Sequence, residues 1–137
     1  MMHFKYKAVK RPDGNFSRCP VIPVSFDKFD TMALIDSGAD ISAMSKEMAQ
    51  ALGLNLNGEQ ESAYGVGGEV KAIHTYLNFS ISQNHEIYNL RIPVKIILDN
   101  FSFPFLLGRR GFFNEFVITF DENKEKVSLK KVNINNY

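Results

Sequence analysis

"MALIDSGADISAM", residues 32–44, decides how this chain is read. Four apolar residues, Met32 to Ile35, run directly into a carboxylate, Asp36. Ser37, Gly38 and Ala39 follow, all small, then a second carboxylate, Asp40, and the apolar Ile41, Ala43 and Met44. Aspartate is rarely buried without a partner, and its ionised form pays heavily for leaving water. A carboxylate at the end of a core strand, with Gly38 allowing a sharp turn and Ala39 leaving room above it, is fixed, exposed from one side and closely approachable. Ser37 adds a hydroxyl able to hold the loop. The competing structural role is a simple turn cap, for which Asp-Ser-Gly is common. The apolar residues on both sides weigh against it.

The rest of the chain sets bounds. Its 137 residues predict one domain over 1–137, with 45% hydrophobic and 23% charged residues. Sixteen basic and 15 acidic residues leave a net charge of +1. That balance offers no global field for nucleic acid or an anionic membrane surface. The lone Cys19 excludes an intrachain disulfide, and the N-terminus has no apolar segment of signal type. No stretch approaches the ~20 apolar residues of a membrane helix. The expectation is a soluble, cytoplasmic protein. His3, His74, His85 and Cys19 are scattered without metal-ligand spacing, so neither a metal nor a cofactor is expected. Asn15, Asn78 and Asn100 open Asn-Phe-Ser triplets, best taken as chance without a secretion signal.

The residue mix is strand-like almost throughout. Phe4, Tyr6 and Ala8 alternate with polar neighbours and predict an opening strand. Residues 21–26 predict a short strand in which Pro23 marks an edge or bulge. Ser45 caps a predicted helix over "KEMAQALGL", stopped at Gly53. "ESAYGVGGEVKAIHTYLNFSI" predicts a hairpin turning at its glycines. Tyr88 to Leu98 alternates as a long strand, "FPFLLG" is another, and residues 116–132 form a closing hairpin with a charged tip. The sum is all-β with one or two short helices, closed or sandwiched. Met2 to Val9 and Val127 to Asn133 are both candidate edge strands for pairing with a second copy.

One carboxylate hydrolyses amides poorly, whereas two facing carboxylates share a proton and divide the acid and base roles, as known from aspartic proteases. No second Asp-[Ser/Thr]-Gly exists: Asp30-Thr31-Met32 lacks the glycine and Asp13-Gly14 lacks the hydroxyl. A dyad therefore needs a second chain, which two-fold symmetry provides.

"ALIDSGADISAM" followed much later by "FLLGRRGFF" resembles the retropepsin-like, retroviral-type aspartic proteases, from about Val21 to Lys130. The resemblance implies a closed β-barrel-like acid-protease half that works as a homodimer, one aspartate per subunit. Asp36 matches that aspartate, and Ser37, Gly38 and Ala39 its loop. Gly38 and Asp40 match positions that contact the substrate backbone, and Tyr64, Gly65, Val66, Gly67 and Gly68 match the flap tip. Gly108 and Arg109 match a brace beneath the loop, with Asp40 as the natural partner of Arg109. Arg110 departs from the retroviral pattern, and the longer Ser45–Leu54 segment suggests a cellular or prokaryotic-type member.

The expected function is thus an aspartic endopeptidase cutting extended peptides through an Asp36/Asp36′ dyad that activates water. The alternative is a peptide-binding or dimerisation module with the same fold and no turnover. A phosphate cradle at residues 65–70 fails, because Val70 stands where the third glycine belongs and a strand, not a helix, follows.

Overall fold

The computed structural model describes residues 1–65 and 68–133. Twelve strands and one short α-helix make up most of the described chain. The core is a ring of six strands: β4 (Val21–Phe26), β5 (Phe29–Ile35), β10 (Phe105–Leu107), β6 (Ser42–Ser45), β9 (Glu86–Ile97) and β8 (Gly68–Gln83). Contact of β8 with β4 at Ser25 and Ser80 closes it into a barrel, and β7 (Gln60–Gly65) hangs on β8 as the outer arm of a hairpin. The all-β, closed-barrel expectation holds.

The alternation on β9 explains its place. Leu90, Ile92, Val94 and Ile96 are all buried, while the residues between them face outward or sit at intermediate depth. Inside the barrel the rings of Phe26, Phe79 and Phe105 lie 5.7–5.8 Å apart in tilted and edge-on pairs, the spacing aromatic quadrupoles favour. Pro23 is exposed on the part of β4 that has β5 as its only paired neighbour, so its missing N–H interrupts no second ladder.

Helix α1 (Lys46–Ala51) begins where expected, with Ser45 Oγ accepting from the Met48 N–H at 3.2 Å. It runs six residues, and Gly53 leaves it at φ +74. No described helix is long and apolar enough to cross a membrane.

Two readings are corrected outside the barrel. The opening strand is two strands, β1 (Met2–Lys5) and β2 (Lys7–Lys10), broken at Tyr6, whose N–H turns to the Glu125 carbonyl. β2 pairs only with β3 (Phe16–Cys19), so Ala8 is exposed where alternation placed it inside. Of the two candidate edge strands, β1 does lie at an edge of its sheet, whereas β12 (Lys126–Lys131) is central, paired with β1 on one side and β11 (Phe116–Asp121) on the other.

Candidate functional site

Asp36 stands one residue past β5, half-buried, in a loop whose shape follows from its own hydrogen bonds. Its N–H donates to the Leu107 carbonyl at 2.9 Å, so the carboxylate leaves from a point fixed by the parallel β5–β10 ladder. Its Oδ1 accepts from the Gly38 N–H at 2.9 Å and its carbonyl from the Ala39 N–H at 3.2 Å. Asp36 is therefore a turn cap in geometry. Oδ2 makes no hydrogen bond among the described residues and remains available for chemistry. Ser37 and Gly38 are exposed and Ala39 is half-buried, so the approach to the carboxylate is narrow only on the protein side.

What separates this loop from an ordinary turn is its latch to a segment seventy residues away. Strand β10 threads between β5 and β6, the two strands that flank the loop. Gly108 then lies against the loop's exit so closely that a Cβ would stand 2.6 Å from the Ile41 carbonyl carbon and 2.8 Å from the Ser42 nitrogen. The Gly108 N–H donates to the fully buried Ser42 Oγ at 2.9 Å. The Arg109 and Arg110 N–H groups donate to the Ala39 and Asp40 carbonyls, each at 2.8 Å. Beyond them the chain turns through Gly111, φ +86, before Phe112 enters the core.

The guanidinium groups complete the brace. Arg109 Nη2 lies 3.7 Å from Asp40 Oδ1 and Arg110 Nη2 lies 3.6 Å from Asp40 Oδ2. All three side chains are largely exposed, so these pairs orient more than they stabilise. Arg110, marked in the sequence as a departure, doubles the contact expected from Arg109 alone.

A cavity of about 360 Å³ opens beside Asp36 and Ser37, walled by Tyr6, Pro20, Leu34, Ile35, Phe120 and Glu122. The sequence reading missed Tyr6, Phe120 and Glu122, and also Ser42. Ser42 had one signal, a hydroxyl in an apolar run; the others come from segments distant in the chain. Burial first, then the adjacent Glu122 carboxylate, pushes the Tyr6 phenol above its ordinary value. A larger groove of about 580 Å³ lies at Ser25, Asn78 and Arg91, and Asp36 has no part in it.

The expected flap residues form the end of the β7–β8 hairpin: Gly65 pairs with Gly68, which has φ +107, and Tyr64 is 77% exposed. Val66 and Gly67 lie outside the described residues. None of the described tip residues lines the Asp36 cavity in the single chain. Ser62, Glu69 and Lys71 brace the hairpin's arms, and these contacts hold the Glu69 carboxyl below its usual range. Among the described residues no group of three or more His, Cys, Asp or Glu is placed to hold a metal ion.

No curated protein is similar enough to count as a relative of this chain. A retropepsin-like aspartic protease from Rickettsia conorii has the same fold, with a TM-score of 0.62 over 93% of this chain and 98% of its own, at 22% identity. The sequence model described as gag-polyprotein putative aspartyl protease matches residues 22–111, which run from within β4 through the Asp36 loop and the hairpin to the Gly108 latch. With more than half of its length inside that match, the chain belongs to the gag-type, retropepsin-like family of aspartyl proteases.

Proposed function

We propose that this chain is an aspartic endopeptidase that works as a homodimer, with Asp36 from each copy forming the catalytic pair. The observation that carries this reading is the fixed Asp36 carboxylate, tied through Gly108 and Ser42 and open to a cavity on one side. Two such carboxylates facing each other cannot both ionise, so one keeps a proton. The ionised one takes a proton from water, which attacks the scissile carbonyl; the other polarises that carbonyl and the pair then protonates the departing amide nitrogen. The protons belong to the pair rather than to either residue. Ser37 has no hydrogen-bond partner among the described residues, which fits a role in holding the two loops together once paired. Gly38, Asp40 and the Tyr64–Gly68 tip would hold an extended peptide by main-chain contacts, strand against strand. The apolar wall of Leu34, Ile35 and Phe120 favours bulky apolar side chains beside the cut bond.

The test is Asp36→Asn, which keeps the shape and the Gly38 hydrogen bond and removes the acid–base pair. Cleavage of a mixed peptide pool is expected to vanish while the thermal melt is unchanged. Wild-type cleavage rates in the purified variant would sink the proposal. A second reading, a peptide-binding module without turnover, draws on the same turn-capping geometry of Asp36. It predicts saturable peptide binding and no cleavage at any pH.

A further inference from the structure

Strands β2 and β3 form a ribbon that the barrel does not use. Among the described residues they pair only with each other, and none of residues 7–19 is buried. A lone two-stranded ribbon is marginal in water. This one is held at its base: Arg18 Nε lies 2.6 Å from Glu125 Oε2, and Arg18 Nη2 donates to the Tyr6 carbonyl at 3.1 Å. Ordering residues that bury nothing costs conformational entropy without a hydrophobic return. Stability of the core therefore does not explain the ribbon. Its place does bear on Asp36. Tyr6, just before β2, and Pro20, just after β3, both line the Asp36 cavity, so the ribbon rises from the rim of that cavity.

The ribbon also differs in charge from the rest of the chain. Residues 7–19 carry Lys7, Lys10, Arg11 and Arg18 against Asp13 alone, a net +3 in a chain whose total is +1, which leaves −2 for everything else. Arg18 is engaged by Glu125, and Arg11 lies 3.4 Å from Asp13. Lys7 and Lys10 have no ion pair among the described residues. Residues opposite each other on paired strands share a face, and Lys10 stands opposite Phe16, which is 66% exposed. Lysines on a bare edge also keep like strands from pairing. That role asks for charge, but not for an exposed phenylalanine beside it or for a place at the cavity rim.

We propose that the β2–β3 ribbon is a substrate-engaging arm that binds an acidic segment of the protein being cut, with its carboxylates on Lys7 and Lys10 and an apolar side chain on Phe16. This rests on the reading that Asp36 cleaves peptides. Strands climb ~3.3 Å per residue, so Lys10 stands roughly 13 Å along the arm from Tyr6. An extended peptide climbs at the same rate, which puts the acidic residues about two to five positions from the cut bond. The ribbon's outer edges are unpaired among the described residues, so main-chain hydrogen bonds can add to the charge contacts. Charge also selects the occupant. A nucleic-acid surface neutralises several phosphates at once, whereas here two free lysines stand on a chain whose remainder is −2. A short acidic peptide asks for no more than that.

Two labelled peptide pools test it. They share a randomised apolar centre, flanked on both sides by glutamates in one and by glutamines in the other. Binding is read by fluorescence anisotropy on Asp36→Asn, and cleavage by mass spectrometry on the wild type. Exposed ion pairs are worth up to about fivefold each, so the glutamate pool is expected to bind about tenfold more tightly at low salt. In the wild type that advantage should appear in KM rather than kcat. It should fall to near one in Lys7→Gln with Lys10→Gln, persist in Lys7→Arg with Lys10→Arg, and reverse in Lys7→Glu with Lys10→Glu. Equal binding of the two pools, or an advantage that survives the glutamine pair, overturns the proposal. A single-stranded oligothymidine of like length that binds more tightly than the glutamate pool overturns it in favour of nucleic acid. Should the glutamine pair fail to fold by circular dichroism, salt decides: the advantage should shrink several-fold between about 50 and 300 mM, and an advantage indifferent to salt overturns the proposal. The two readings fail separately. Equal cutting of both pools keeps the protease and removes the arm. A bound preference for the glutamate pool with no cutting by the wild type keeps the arm as a binding surface and removes the protease.

Discussion

Gly108→Ala isolates the contact that turns a tight turn into a held site. The backbone conformation is not the obstacle, because φ −94 is open to any residue. The obstacle is space: the added methyl would sit 2.6, 2.7 and 2.8 Å from three backbone atoms of Ile41 and Ser42, none of which can rotate away. Overpacking of this kind costs ~1–3 kcal/mol. Pushing the segments apart also strains the buried hydrogen bond to Ser42 Oγ, and a buried donor left without its partner costs ~1–3 kcal/mol more. The expected loss is about 2–6 kcal/mol, which for a domain of this size lowers Tm by roughly 6 °C or more. Gly53→Ala is the internal control. Gly53 has φ +74, and a methyl added there would meet nothing within 4 Å, so it bears only the backbone cost of ~1–2 kcal/mol. Urea and thermal melts at one fixed protein concentration should therefore rank Gly108→Ala well below Gly53→Ala, the reverse of the order that φ alone implies. Equal melts for the two variants, or a Gly108→Ala melt matching wild type, would refute the close-contact reasoning.

Glu122→Gln separates an intrachain carboxylate pair from one made by two copies. Glu122 lines the Asp36 cavity, so if it served as the second acid its loss would abolish cleavage; peptide assays are expected to show rates within a few-fold of wild type. Arg109→Ala and Arg110→Ala each leave one guanidinium on Asp40, so the loss of cleavage in the double variant should exceed the product of the two single losses. Melting points should barely move in these variants, as the pairs are exposed. The Tyr6 phenol is held neutral above its ordinary value of 10.0, so its stabilising effect is complete below pH 10 and fades as pH rises through the elevated value. Denaturation curves across that alkaline range should flatten in Tyr6→Phe, and an unchanged slope would contradict the assignment.

Local chemistry made much of this fold legible. Ser45 reads as a cap because its hydroxyl needs only the N–H three residues on. The long β9 strand reads from alternation alone, and the Asp36 loop from small residues after an apolar run. Arg109 and Asp40 meet as expected, because the motif carries both. What stayed hidden involves partners distant in sequence. Alternation says that a strand has a buried face, not which strand lies beside it. So nothing in residues 2–9 announced the break at Tyr6, which follows from the Glu125 carbonyl on the closing hairpin. Nor did either terminus announce that β1 and β12 would satisfy each other and leave β11 at the edge.

By itself the sequence determined the parts whose energetics are settled within a few residues: the strands, the capped helix, the glycine hairpin and the small-residue loop carrying Asp36. Tertiary structure alone decided that β10 threads between β5 and β6, that Gly108 presses on Ile41, and that Tyr6, Phe120 and Glu122 wall the cavity. The physical reason is that local periodicity sets which face of a strand is buried, while close packing and the need to pair every buried backbone group select the neighbours.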